Sequence, residues 1–308
     1  MHDLMIIGGG PASVAAGVYA ARKRLKTAII TEEIGGQSAV SEGIENWVGS
    51  PKVSGAELAK LFRAHLDAVK GDAVTFEMHE RVVSLEQTPE KLFLARTKNG
   101  KEFTAKAVLI ASGAGRRKLD IPGAEKFENK GVTYCASCDG PLFSEMDVAV
   151  IGGGNAGFET ALQLLAYAKS VTLIHRHAEF KADPITVEKA RVHPNMRIIA
   201  PAEPTEIMGE QFVTGLKYKE KDSSEVKELA VSGIFAEIGV VPNTGFVEEM
   251  VALDDIKRIK VDPRNQRASI EGVWAAGDCT DELYHQNNIA AGDGVKALED
   301  IYLWLKKK

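Results

Sequence analysis

Two glycine-rich segments constrain this chain more than any other feature. The first reads Leu4-Met5-Ile6-Ile7-Gly8-Gly9-Gly10-Pro11-Ala12-Ser13. The second reads Val148-Ala149-Val150-Ile151-Gly152-Gly153-Gly154-Asn155-Ala156-Gly157, and Gly152 follows Gly8 by 144 residues. Each copy is a short apolar run leading into a glycine turn. Each is followed by an Ala-rich helical stretch (Val14 to Arg22, Phe158 to Ala168) and then by a second short apolar run (Thr27 to Thr31, Val171 to Ile174). The two copies align across this unit without a gap.

Strand, glycine turn, helix and strand in that order make a dinucleotide-binding unit. The glycines let the backbone turn tightly and approach a pyrophosphate. The helix start then offers free N–H groups and partial positive charge to that anion. One such match is weak, because glycine turns after strands are common. Two in the same context are much stronger. In the first copy Gly8, Gly10, Pro11 and Ala12 carry the pattern, and Ser13 stands where the third glycine is expected. In the second, Gly152, Gly154, Asn155 and Gly157 carry it intact.

The ends of the second strands separate the ligands. Glu32 and Arg176 hold equivalent positions. An acid there hydrogen-bonds free ribose hydroxyls, whereas an arginine suits a 2′-phosphate. The first unit is therefore expected to hold the adenosine of FAD, and the second a nicotinamide dinucleotide, NADPH by preference with NADH left open. His175 borders Arg176 and joins it as a candidate contact.

Between the two copies lies Thr133-Tyr134-Cys135-Ala136-Ser137-Cys138-Asp139-Gly140. In a Cys-x-x-Cys pair one thiol is acidified, so a thiolate is available near neutral pH to attack a disulfide through a mixed-disulfide intermediate. Asp139 is placed to pass protons during that exchange. The rival for Cys135 and Cys138 is half of a zinc site. Zinc needs three or four ligands, and with Cys279 the only other cysteine, no metal is expected. Three cysteines are also too few, and odd in number, for a secreted disulfide framework.

Composition limits the partners. Lys and Arg number 38 against 43 Asp and Glu, a formal charge of −5, which gives no electrostatic reason to expect nucleic acid or an anionic membrane. There is no apolar run of transmembrane length. The start of the chain has no basic region followed by an apolar core, so a secretory signal is not expected and a cytoplasmic site is.

At these residues the chain resembles the low-molecular-weight thioredoxin reductases and the C-terminal reductase portion of the alkyl hydroperoxide reductase flavoprotein. The resemblance covers essentially the whole chain. It is carried by Gly8 to Ala12, Gly35-Gly36-Gln37, Glu45-Asn46, Ala111-Ser112-Gly113-Ala114, Tyr134 to Gly140, Ile238-Gly239 through Thr244, and Ala276-Gly277-Asp278-Cys279. It implies that Gly35, Gly36, Gln37 and Asn46 lie along the FAD, with Ala111, Gly113 and Gly277 at the same site. It also implies that Asp278 bonds the ribityl–phosphate region and Gln286 approaches the flavin ring. It implies as well that Ile238 and Gly239 belong to the nicotinamide site. Cys138 would be the thiol beside the flavin, Cys135 the attacking thiol and Asp139 the acid–base group. A homodimer with a thioredoxin-like or glutaredoxin-like protein disulfide as substrate is implied too, as are domains that rotate about hinges near 115–119 and 245–246.

The chain departs from that pattern in two places. Where thioredoxin reductases carry His-Arg-Arg and a further Arg, this chain has His175-Arg176-His177 and Lys181. Lys and Arg are not interchangeable in a bidentate grip. Next to the flavin ring, His285 stands where an arginine is expected. The peroxide-system proteins have an additional N-terminal thioredoxin-like region. This sequence starts at the first fingerprint, so serving a peroxiredoxin would call for a separate shuttle.

The expected fold class is α/β, with two Rossmann-like dinucleotide-binding domains, the second inserted into the first. The FAD-binding domain is expected over 1–115 and 245–308, and the NAD(P)H-binding domain with the cysteine pair over 116–244. A capping box at Ser54 to Glu57 opens a helix through about Lys70. A last helix is expected from about Gly292, with Val295, Leu298, Ile301, Tyr302 and Leu305 on its core face. Two other readings compete. One is a flavin dithiol oxidase, against which the intact second fingerprint argues. The other is a flavin-binding sensor, which would have little need of Cys-x-x-Cys-Asp.

Overall fold

The computed structural model describes residues 1–40, 44, 46–134 and 136–307. The side chains of Val40, Ser137 and Cys138 also fall outside the description. The chain divides into two compact units, Met1–Gly115 with Val241–Lys308, and Arg116–Val240. The return crossing thus lies four residues ahead of the boundary expected from the sequence.

The first stretch runs β1 (His2–Ile7), α1 (Pro11–Arg22), β2 (Thr27–Thr31), α2 (Gly55–Val69), β3 (Val74–Met78), β4 (Val82–Gln87), β5 (Phe93–Thr97), β6 (Glu102–Ile110) and the short β7 (Ala114–Arg116). The middle stretch begins with β8 (Val132–Thr133), α3 (Ala136–Asp139), β9 (Asp147–Ile151), α4 (Asn155–Leu164), β10 (Ser170–Ile174), α5 (Pro184–Arg191) and β11 (Met196–Ile199). It continues with β12 (Ala202–Gly209), β13 (Val213–Glu220), β14 (Val226–Ala230), β15 (Gly233–Ala236) and β16 (Val240–Pro242). The chain ends with β17 (Val273–Ala275) and α6 (Asn287–Lys306).

Each unit is built on a parallel sheet of the same topology. In the first, β3, β2, β1 and β6 lie side by side and parallel. In the second, β11, β10, β9 and β15 do the same, and β8 extends the edge. The internal repeat extends to strand register. Leu4 pairs with Thr27 and Ile7 with Ile30; 144 residues on, Val148 pairs with Val171 and Ile151 with Ile174. In both units an antiparallel excursion precedes the fourth parallel strand: β4–β5 in the first, β12–β13–β14 in the second. β6 is long enough to serve two neighbours on one edge. Its first half pairs with β5 and its second half with β17.

Strand alternation sends successive side chains to opposite layers, and both layers are covered, so the strands read as continuous apolar runs. In β1, Leu4 and Ile6 pack with α1, α2 and α6, while Met5 and Ile7 join Phe93, Val247 and Val273 on the other face. In β9, Val148 and Val150 pack with Phe158 and Leu164 of α4. Ala149 and Ile151 face Ile207 and Leu216 of the antiparallel sheet.

Ser54 caps α2 as the sequence predicts, its hydroxyl accepting from the Glu57 N–H at 3.2 Å. Ser54→Ala is expected to cost about 1 kcal/mol, measurable by denaturant unfolding. The last helix starts at Asn287, five residues earlier than expected. Asn287 and Asn288 are poor helix formers, so periodicity did not mark that first turn. Leu298 and Ile301 are fully buried, whereas Val295, Tyr302 and Leu305 are only partly covered.

Candidate active site

The two glycine turns have the same geometry. Gly8 has φ +126° and Gly152 φ +129°. A Cβ on Gly8 would stand 2.1 Å from the Ala111 carbonyl oxygen, and one on Gly152 would stand 2.1 Å from the Glu237 carbonyl oxygen. Glycine is therefore required at both positions by conformation and by close approach. Gly10 and Gly154 are the N-caps of α1 and α4 and provide no side-chain cap. A Cβ at either would have nothing within 4 Å. By contrast α2 and α5 are capped by Ser54 and Asp183. The helix ends left uncapped at the glycine turns are thus also left open, which fits an anionic ligand supplying the missing acceptor.

The third position of the fingerprint shows how Ser13 is accommodated. A Cβ on Gly157 would stand 2.1 Å from the Gly152 carbonyl oxygen. In the first copy the fully buried Ser13 turns the same closeness into a bond, its hydroxyl donating to the Gly8 carbonyl at 2.5 Å.

In front of the first turn is a cavity of about 610 Å³. Gly8, Gly10, Pro11, Ala12 and Glu32 line it. Gly36, Gln37, Ala111, Gly113, Gly277 and Asp278 line it as well. Gln37 donates its amide to the Ala114 carbonyl. Gly35 (φ +114°) lies just outside, its N–H bonded to the Gly9 carbonyl at 2.8 Å. Asn46 and Gln286 do not line the cavity; they bond to each other, Asn46 Nδ2 donating to Gln286 Oε1 at 3.0 Å. Burial pushes the Asp278 carboxyl above the usual carboxylate range, against the pull of His285.

The sequence reading missed part of this cavity. Glu80, Arg81, Val82 and Val83 form one wall, with Arg81 3.8 Å from Glu32. Asn243, Phe246 and Asn287 contribute from the returning stretch. No motif marks the 80–83 segment; its place follows from the pairing of β3 beside β2. Asn243 was within reach of the sequence, since it belongs to the Pro242-Asn243-Thr244 run. Its amide donates to the Ser112 carbonyl at 3.0 Å, and the Ser112 hydroxyl donates back to the Asn243 carbonyl at 2.8 Å.

The second turn is bordered by His175, whose ring would meet a Cβ on Gly153 at 2.5 Å. Burial lowers the His175 pKa. Arg176 is exposed, its Nε donating to His177 Nε2 at 3.0 Å. Segment 181–183 runs beside the turn: the Lys181 N–H bonds the Gly153 carbonyl at 3.2 Å, and Asn155 Oδ1 accepts from the Asp183 N–H at 2.7 Å. Ile238 and Gly239 follow the end of β15, and Gly239 has φ +103°. The carboxylate of Glu237, just before them, accepts from Arg116 at 2.7 Å and from the Thr160 hydroxyl at 2.9 Å. Burial raises its pKa despite Arg116.

Cys135 lies outside the described residues, as do Glu45 and the side chain of Cys138. The neighbours of the cysteine pair are placed. Cys138 lies in the single turn α3, and Ala136 packs among Phe158, Leu164 and Phe235. The Thr133 hydroxyl donates to the Asp139 carboxylate. The third cysteine, Cys279, is fully buried against the Ile110 and Ala276 carbonyls, and burial pushes its thiol pKa up.

Residues 2–294 match the family described as pyridine nucleotide-disulphide oxidoreductase. The chain belongs to that family. Its relatives include the F component of alkyl hydroperoxide reductase from Staphylococcus aureus (strain NCTC 8325 / PS 47), 42% identical over 96% of this chain and 57% of the relative. The chain therefore spans little more than half the length of such curated relatives. Among solved structures, thioredoxin reductase from Lactococcus lactis has a TM-score of 0.88 at 33% identity, covering 100% of both chains. That from T. acidophilum has a TM-score of 0.82 at 36% identity, covering 98% of both. Low-molecular-weight thioredoxin reductases are thus structural neighbours of this oxidoreductase, and the two-Rossmann α/β architecture is theirs as well. Among the described residues, no helix is long and apolar enough to cross a membrane.

Proposed function

We propose that this oxidoreductase carries electrons from NADPH through FAD to the Cys135/Cys138 pair and on to the disulfide of a thioredoxin-like or glutaredoxin-like protein. The observation that carries this reading is the pair of glycine cradles with identical geometry, the second in the same unit as the Cys-x-x-Cys turn. The first unit fits FAD. Its cavity is lined by the α1 start, by Glu32, which in this reading takes the ribose, and by Gly277 and Asp278 in the turn after β17. Bound FAD would supply the two-electron relay between nicotinamide and disulfide. The second unit fits a nicotinamide dinucleotide, with its pyrophosphate at the start of α4 and Arg176, His175 and Lys181 around the ribose end.

The chain's own chemistry is thiol–disulfide exchange. The Cys135 thiolate attacks one sulfur of the partner's disulfide, forming a mixed disulfide and releasing a partner thiolate. The Cys138 thiolate then attacks Cys135 Sγ, releasing the second partner thiolate and closing the Cys135–Cys138 disulfide. In this reading Asp139, whose carboxylate accepts from the Thr133 hydroxyl, serves as the acid–base group for the departing thiolates. The protein is expected to act as a cytoplasmic homodimer. Purified protein with FAD should oxidise NADPH when given oxidised thioredoxin, and failure to do so with either thioredoxin or glutaredoxin would refute this partner class.

The alkyl hydroperoxide reductase relatives favour a second reading, NADH-dependent service to a peroxiredoxin. Cofactor choice separates the two. The exposed Arg176 guanidinium is free to turn from His177 to a 2′-phosphate. Arg176→Ala is expected to raise KM for NADPH by roughly tenfold to a hundredfold, the scale of a charge-assisted hydrogen bond, with a smaller effect on NADH. Equal effects on both, or a wild-type preference for NADH, would favour the second reading.

A further inference from the structure

Beside the second glycine turn lies a buried charge that no fingerprint marks. The Glu237 side chain is 5% exposed. Both of its oxygens are used: one accepts from Arg116 Nη1 at 2.7 Å, the other from the Thr160 hydroxyl on α4 at 2.9 Å. A guanidinium can only donate, so this is the geometry of an ionised carboxylate. Burial works against that charge, and Arg116 and Thr160 work for it. Arg116, 43% exposed, keeps contact with solvent. A buried carboxylate is tolerated when it is paired and hydrogen-bonded, and becomes costly when its partner is removed.

Hydrogen bonds tie this residue to the turn. The Glu237 N–H donates at 2.8 Å to the carbonyl of Ile151, the residue before Gly152. The Glu237 carbonyl oxygen is the atom that a Cβ on Gly152 would meet at 2.1 Å. Two residues on, the Gly239 carbonyl accepts from the Arg117 N–H at 3.0 Å. Segment 237–239 is thus held at one end by the Arg116 side chain and at the other by the Arg117 backbone. Thr160 fixes the same carboxylate to α4, the helix whose N-cap, Gly154, supplies no side-chain acceptor.

We propose that Arg116 is a positioning residue for the nicotinamide dinucleotide: its guanidinium neutralises Glu237, so that segment 237–239 lies against the glycine turn without presenting negative charge to the pyrophosphate. This rests on the reading of the second turn as a dinucleotide site. The charged groups that act on the Glu237 carboxylate are Arg116 and the exposed Glu159 of α4. Without Arg116, two carboxylates remain near the first turns of α4. One of them is buried and answered by a neutral hydroxyl alone. Their charge opposes a pyrophosphate whether or not the ribose carries a 2′-phosphate. Arg176, by contrast, discriminates between the two cofactors, so the two arginines have different signatures.

The test measures the affinity of the full chain for NADP⁺ and for NAD⁺ by calorimetric titration at neutral pH, with thermal midpoints to confirm folding. Arg116→Ala is expected to weaken both nucleotides by roughly tenfold. Arg116→Gln, which keeps a donor without the charge, is expected to weaken both as well, and it decides the matter if Arg116→Ala does not fold. Arg116→Lys keeps the charge at a single contact and is expected to stay within about threefold of wild type. The double variant Arg116→Ala/Glu237→Gln removes both charges and is expected to recover to within about threefold of wild type, although it has lost the same contacts. Unchanged affinity in the Ala and Gln variants would overturn the proposal, as would a double variant no better than Arg116→Ala, which would make the pair a structural contact. A loss confined to NADP⁺ would overturn it too, by placing Arg116 on the 2′-phosphate. If wild type binds neither nucleotide, the dinucleotide reading itself falls, and the proposal with it.

Discussion

Gly8→Ala is expected to yield protein without FAD, whereas Gly152→Ala is expected to keep FAD and lose its reduction by NADPH. The two substitutions are the same physical insult in different units. Each places a side chain at φ near +126° to +129° and a Cβ 2.1 Å from a carbonyl oxygen, of Ala111 in one case and Glu237 in the other. Strain at such a backbone position costs about 1–3 kcal/mol, and the contact forces the turn away from its neighbouring strand. The first turn of α1 or α4 then no longer aims its N–H groups at a pyrophosphate. Flavin absorbance of the purified proteins and its bleaching by NADPH read out the two effects. FAD loss from Gly152→Ala with retention in Gly8→Ala would invert the assignment of the two units.

The second large effect is expected at the cysteine pair. Cys135→Ser and Cys138→Ser should each lower turnover of a protein disulfide by at least roughly a thousandfold, the scale on which loss of a covalent nucleophile acts. Reduction of bound flavin by NADPH should persist in both, because the glycine cradles are untouched. Only the variant that retains the attacking thiol can form a stable mixed disulfide with its partner. On the assignment above that is Cys138→Ser, and a trapped complex with a single-cysteine thioredoxin variant, its thiol first activated as a mixed disulfide with thionitrobenzoate so that this thiolate departs on attack, would be visible on a non-reducing gel. Trapping by Cys135→Ser instead would exchange the roles of the two thiols. Turnover at the wild-type rate in either variant would refute the dithiol route.

What the sequence revealed follows from how tightly geometry dictates residue type. Gly8 and Gly152 admit no Cβ, so the turns were visible, and a gapless spacing of 144 residues reappears as identical strand register. Ser54 and Glu57 announced α2 because a cap needs those groups at that spacing. The wall at Glu80 to Val83 was not legible, because it reaches the cavity only through the pairing of β3 with β2. The start of α6 was obscured by two asparagines. The Arg116–Glu237 pair brings together residues 121 positions apart in a combination that periodicity treats as surface. Asn46 and Gln286, both expected along the cofactor from sequence, bond to each other.

The most direct test of the electron path is an anaerobic titration of the FAD-loaded protein with NADPH, following flavin absorbance. The account predicts that wild type consumes about two equivalents of NADPH per FAD before bleaching is complete, one for the flavin and one for the Cys135–Cys138 disulfide, and that the double Cys→Ser variant consumes about one. Equal uptake by wild type and variant would contradict it, because no electrons would then reach the cysteine pair.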